Sequence, residues 1–138
     1  MKDFNVNDIA SQEGRVVIIT GSNTGLGFET ARALAAKDAL VIMAVRDIEK
    51  GNIAREKILK DYPGALIDIM PVDLSSLSSV KEFAKVFLAL YNRLDLLINN
   101  AGIMIPPYSK TCDGFASNWS MSNLSKLAFF IMPLSAIL

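Results

Sequence analysis

Val16-Val17-Ile18-Ile19-Thr20-Gly21-Ser22-Asn23-Thr24-Gly25-Leu26-Gly27 is the stretch that decides the fold. Its opening run is β-branched with no polar break, the composition of a strand covered on both faces, and it predicts the central strand of a parallel sheet. Beyond the glycines, Phe28, Ala31, Leu34 and Ala35 recur at helical spacing and predict a helix ending near Lys37 and Asp38. A strand that turns tightly into a helix aims the loop amides and the positive helix end into one crevice, where a pyrophosphate is stabilised. Glycine suits such a loop because a side chain would obstruct the turn, the approach of backbone to phosphate, or the packing of helix on strand. Gly21, Ser22, Asn23, Thr24, Gly25, Leu26 and Gly27 are therefore the candidate anion-binding residues. Taken alone, such a run also makes a plain turn; the order strand, loop, helix favours the binding loop. The spacing is not GxGxxG, and no Lys-Ser or Lys-Thr follows to make a nucleoside-triphosphate loop.

Outward from this unit the same alternation continues. Leu40 to Val45 predicts a second buried strand, and Ile48, Ala54, Ile58 and Leu59 a lysine-rich helix closed by the Asp61-Tyr62-Pro63-Gly64 turn. Leu66 to Val72 predicts a third strand and Leu94 to Ile98 a fourth. Between them Ser79, with Glu82 three residues on, is placed as a capping box ahead of Val80, Phe83, Phe87 and Leu90 on one helical face. The expectation is an α/β fold: a partial Rossmann-type doubly wound parallel sheet of strand order 3-2-1-4, its ligand lying at the switch between strands 1 and 4. One domain, 1–138, is expected, with 1–13 as an N-terminal extension.

Lys and Arg balance Asp and Glu at 14 each, so no long-range field favours nucleic acid or an anionic membrane surface. With no His and the single Cys112, neither a usual zinc site nor an internal disulfide is expected, which suits a reducing, cytoplasmic setting. The apolar stretch 127–138 falls short of the ~20 residues that span a bilayer and predicts a buried helix instead. Left uncovered, it and the open sheet edge would favour self-association.

Thr20, Gly21, Gly25 and Gly27 match TGxxxGxG, and Asn99-Asn100-Ala101-Gly102 stands intact after the fourth strand. On these two motifs the chain, from Gly14 onward, resembles the short-chain dehydrogenase/reductase family. Ala44-Val45-Arg46-Asp47 and Thr111-Cys112-Asp113-Gly114-Phe115 look most like its retinol-dehydrogenase-like and protochlorophyllide-reductase-like branch. The resemblance implies an oxidoreductase that transfers hydride to or from an alcohol or carbonyl with a nicotinamide dinucleotide. It implies that Asp73 and the Leu74 amide meet the adenine ring, that Asn100, Ala101 and Gly102 border the ribose and nicotinamide, and that Asn99 ties neighbouring strands. Taken alone, Asp73 before Leu-Ser-Ser is a turn or helix-capping residue, and an Asn pair at a strand end is a turn.

At the end of the second strand a carboxylate suits the 2′-hydroxyl of NAD, and an Arg suits the 2′-phosphate of NADP. Arg46 holds that place, with Asp47 one residue beyond it, so NADP(H) is favoured over NAD(H). The alternative is that Arg46 and Asp47 simply open the next helix as a solvated pair.

The family uses a Tyr activated by a Lys four residues later. Here Tyr62, Tyr91 and Tyr108 are followed at that spacing by Leu66, Asp95 and Cys112, so no catalytic residue is assigned. Ser122 stands where the family's active-site Asn is expected, with Asn123 one place on. The expectation is a chain cut short before the family's catalytic half. The alternatives are a non-catalytic dinucleotide-binding module, or a degenerate remnant acting only through protein interaction.

Overall fold

A computed structural model of the chain describes residues 5–100. Within them a strand β1 (Val16–Thr20), a helix α1 (Gly25–Ala35), β2 (Leu40–Val45), α2 (Ile48–Asp61), β3 (Leu66–Pro71), α3 (Leu77–Leu90) and β4 (Leu96–Ile98) alternate along the chain. The strands form one parallel sheet in the order β3-β2-β1-β4, as the alternation predicts. Ala101, Gly102 and the apolar stretch 127–138 lie outside the described residues.

The sheet is doubly wound because right-handed crossovers fix the face each helix takes. Moving outward from β1 to β2 to β3, the chain lays α1 and α2 on one face. Returning past β1 to β4 reverses the direction and sends α3 to the other. The side chains follow the two-residue period of the strands. Val17, Ile19, Val41, Met43 and Val45 pack against Ala31 and Ala35 of α1 and Ala54 and Ile58 of α2. Val16, Ile18, Ile42 and Ala44 pack against Val80, Phe83, Ala84 and Phe87 of α3. Ile18, Ile58 and Phe87 are wholly buried, each worth about 1.5–3 kcal/mol of apolar burial.

Two local expectations change. Leu90, placed on the buried stripe of α3, is 64% exposed. It is the last residue of the helix, where the chain already turns away towards Tyr91. Ser79 does not cap α3: Ser76 does, its hydroxyl accepting from the Ser79 amide at 3.3 Å. Ser79 is the third helical residue, and its own hydroxyl points elsewhere.

Short contacts hold the extension to the base of the sheet. Lys37 Nζ donates to the Asn7 carbonyl at 3.4 Å, and the Gln12 amide donates to the Lys37 carbonyl at 2.7 Å. Asp38 adopts a left-handed φ of 69° as α1 gives way to β2, a conformation Asp tolerates better than most residues.

Candidate functional site

Parallel strands end together. The pairing of Thr20 with Ala44, Ile19 with Ile98 and Val45 with Pro71 brings the C-terminal ends of all the described strands to one edge. The glycine loop crosses that edge. Gly21 and Gly25 take positive φ values of 61° and 60°, which let the chain reverse between β1 and α1. Ser22 is buried and turns its hydroxyl inward to the Ile19 carbonyl at 3.1 Å, leaving Asn23, Thr24, Gly25 and Leu26 at the surface of the loop. Leu26 is 75% exposed.

Thr24 is the N-cap residue of α1, yet its side chain makes no capping hydrogen bond. By contrast Asp47 caps α2 by accepting from the Lys50 amide at 3.1 Å, and Ser76 caps α3. The first turn of α1 thus presents amides that its N-cap side chain leaves uncapped, at the positive end of a helix. Among the described residues, a methyl group at Gly25 would meet nothing within 4 Å, which leaves the space in front of this turn open.

Gly27 has the opposite surroundings. It is buried, and a methyl group there would stand 2.6 Å from the Gly21 carbonyl oxygen and closer still to Asn100 Nδ2. Asn100 is the reason for the crowding: its Nδ2 donates to the Gly21 carbonyl at 3.1 Å and its amide to Thr20 Oγ1 at 3.1 Å. Asn100, half-buried, therefore fastens the glycine loop to the end of β4. The tie expected of Asn99 is made by its neighbour, and Thr20 contributes a hydroxyl that hydropathy gives no reason to single out.

At the end of β2 an open crevice of about 700 Å³ is lined by Asn23, Arg46, Asp47, Ile48, Glu49 and Lys50. Arg46 is exposed there. Asp47 caps α2, as the alternative reading of the pair expects, and Arg46 lines the crevice together with Asn23 of the glycine loop.

Asp73 follows β3. Ser75 donates to Asp73 Oδ1 through its hydroxyl at 2.6 Å and its amide at 2.9 Å. The Ser75 hydroxyl chiefly, with its amide and the Arg46 guanidinium adding to it, holds the Asp73 carboxyl below the usual carboxylate range against the opposing effect of burial. The Asp73 amide donates to Ser79 Oγ at 2.8 Å. The Leu74 side chain is half-buried and packs against the α3-side core. Among the described residues no group of His, Cys, Asp and Glu is arranged to hold a metal, and no helix is long and apolar enough to cross a membrane.

A doubly wound parallel sheet, with a glycine loop after its first strand and an open crevice at the end of β2, is a Rossmann-type fold. The family model described as short chain dehydrogenase matches residues 15–127, and the chain belongs to the short-chain dehydrogenase/reductase family, whose members are oxidoreductases. Retinol dehydrogenase 12 of Mus musculus is 47% identical over 111 residues, covering 80% of this chain and 35% of the relative. Short-chain dehydrogenase/reductase prx1 of Penicillium rubens is 42% identical over 122 residues, covering 88% of this chain and 35% of that protein. The chain thus spans about a third of the length of the curated relatives it matches. Among solved structures, an uncharacterized protein from Mycobacterium Paratuberculosis superposes with a TM-score of 0.80 at 39% identity, over 99% of this chain and 47% of that one. A metagenomic short-chain oxidoreductase in complex with NADP superposes with a TM-score of 0.68 at 26% identity, over 93% of this chain and 57% of the other.

Proposed function

We propose that these residues form the NADP(H)-binding half of an oxidoreductase that moves a hydride to or from an alcohol or carbonyl carbon. The observation that carries the reading is the pairing of an uncapped α1 N-terminus with Arg46 at the end of β2, on one edge of the sheet.

The residues present fit the cofactor. The open first turn of α1 and the loop Gly21 to Gly27 suit the pyrophosphate, because their amides have no competing side-chain cap. Arg46, with Lys50 and Asn23 in the same crevice, suits a 2′-phosphate. Asp47, which accepts the Lys50 amide on Oδ1, lines the same crevice, so the preference for NADP(H) rests on Arg46. Asp73 and Leu74 would border the adenine, and Asn100, followed by Ala101 and Gly102, the ribose and nicotinamide side. When bound, the nicotinamide ring supplies or accepts the hydride. The part of this chain is to hold and orient it, since no Tyr-x-x-x-Lys pair occurs in the sequence. The relatives named retinol dehydrogenase support the alcohol and carbonyl class of substrate.

Titration of the chain with NADPH and NADH, followed by nicotinamide fluorescence, tests the proposal. A charge-assisted bond between Arg46 and the 2′-phosphate predicts a preference for NADPH of about 10- to 100-fold. Arg46→Gln should remove most of it. Equal affinities for the two cofactors in the unaltered chain would overturn the assignment.

A further inference from the structure

Ser79 has a hydroxyl that its own helix does not use. The amide of Ser79 is already met by the Ser76 hydroxyl, which caps α3. The Ser79 hydroxyl instead reaches back six residues to accept the Asp73 amide at 2.8 Å in a part-buried position. Asp73 is held from its other sides as well. The preceding Val72 amide donates to the Val45 carbonyl at 2.9 Å, and the Asp73 carbonyl accepts from the Ser76 amide at 3.1 Å. Both bonds from Ser75 fall on Oδ1 of the carboxylate. Among the described residues, Oδ2 is the oxygen left for a ligand. A hydrogen bond to the main chain of Asp73 fixes where that oxygen points, because the side chain can adopt only a few rotamers about a fixed backbone.

Resting on the proposal that Asp73 borders the adenine ring, we infer that Ser79 is a positioning residue for adenine recognition, holding the Asp73 amide so that the carboxylate and the following main chain face the purine. The bond ties the segment after β3 to the first turn of α3, on the face of the sheet opposite α1. The two ends of the cofactor are thereby set by different helices: the pyrophosphate by α1, the adenine by α3.

The test compares the full chain with Ser79→Ala, Ser79→Thr and Ser76→Ala, using 2′,5′-ADP as the probe in isothermal titration calorimetry below the onset of each variant's thermal unfolding. Without the Ser79 hydroxyl the Asp73 carboxylate loses its aim, and forfeiting one hydrogen bond from the purine to that carboxylate predicts that Ser79→Ala weakens the probe about five- to tenfold. Ser79→Thr, which keeps the hydroxyl, should bind within about twofold of the unaltered chain, a spread well inside one net hydrogen bond. Ser76→Ala is the control for helix stability: it removes the cap of the same helix and lowers Tm, but should leave the affinity unchanged. Affinity in Ser79→Ala equal to that of the unaltered chain would overturn the inference, as would an equal loss in Ser76→Ala, since Ser79 would then act through helix stability alone. If Ser79→Ala does not fold, the inference stands or falls on Ser79→Thr against Ser79→Val, which share a shape and differ in the hydroxyl. Failure of the unaltered chain to bind 2′,5′-ADP would instead bring down the cofactor proposal itself.

Discussion

Replacing Gly27 by alanine sets helix propensity against packing, and the structure says which prevails. Gly27 is the third residue of α1, and in an unconstrained helix alanine is favoured over glycine by about 1 kcal/mol. The added methyl group would sit 2.6 Å from the Gly21 carbonyl oxygen and 3.0 Å from Asn100 Cγ, where carbon contacts normally settle at about 3.5–4.0 Å. The Asn100 amide can rotate aside, but only by giving up its bond to the Gly21 carbonyl, worth about 0.5–1.5 kcal/mol. Gly21 is less free to move. Its amide is bonded to the Ala44 carbonyl at 3.0 Å, and its φ is already in the left-handed region. Helix α1 must therefore shift off the sheet, an overpacking cost of about 1–3 kcal/mol. The net expectation is a loss of about 2 kcal/mol, read as a drop of roughly 1 M in the urea midpoint followed by far-ultraviolet circular dichroism. Combining Gly27→Ala with Asn100→Ala should not recover the loss, because the backbone contact remains. A Gly27→Ala chain as stable as the original, or more stable, would refute the reasoning and leave propensity as the stronger effect.

Asp95→Ala should cost about 1–3 kcal/mol by urea denaturation, because it strips the acceptor from the amide of the buried Val16, now bonded to Asp95 Oδ2 at 2.7 Å. Asp95→Asn, which keeps a carbonyl oxygen, should cost less. The hydrogen bond from Arg93 chiefly, aided by the Val16 amide, holds the Asp95 carboxyl below its ordinary value despite some desolvation. Its contribution is thus present above about pH 4 and is lost as the pH falls through the depressed range; stability measured from pH 5 to 2 should fall less steeply in Asp95→Asn. Tyr91 has the opposite sign: burial, then the hydrogen bond to Asp68, pushes its phenol from 10.0 up to about 12. Its contribution is complete below pH 10 and declines towards pH 12, so absorbance at 295 nm should show a late-titrating component that is lost in Tyr91→Phe.

The fold was legible where one physical rule dominates. The runs Val16 to Ile19 and Leu40 to Val45 are apolar throughout because both sheet faces are covered, and their order with the intervening helices gives the 3-2-1-4 sheet. The glycine loop was legible because its backbone demands are special, at Gly21 and Gly25 through positive φ and at Gly27 through close approach. The polar fastenings were less so. Ser76 and Ser79 lie three residues apart in a serine-rich run, and local pattern cannot tell which hydroxyl caps the helix and which reaches the end of β3. Asn99 and Asn100 are alike in sequence. Which of them meets Gly21 depends on where β4 ends against β1, a tertiary register that no local pattern encodes. Leu90 keeps the helical spacing of the buried stripe, but spacing does not mark the point at which the helix outruns the sheet.

The fastening of Asn100 to Gly21 and Thr20 also orders events in time. Its hydrogen bonds join residues 79 and 80 positions apart. During synthesis at about 5–20 residues per second, the glycine loop is made several seconds before its clasp exists. Closing a contact of such separation is among the slower steps of folding, since chain entropy is lost before any bond is gained. Until β4 docks, the loop lacks the contact that fixes its carbonyl. The nascent chain therefore gains the geometry of its glycine loop late, after the strands and helices on the β3 side can already have formed.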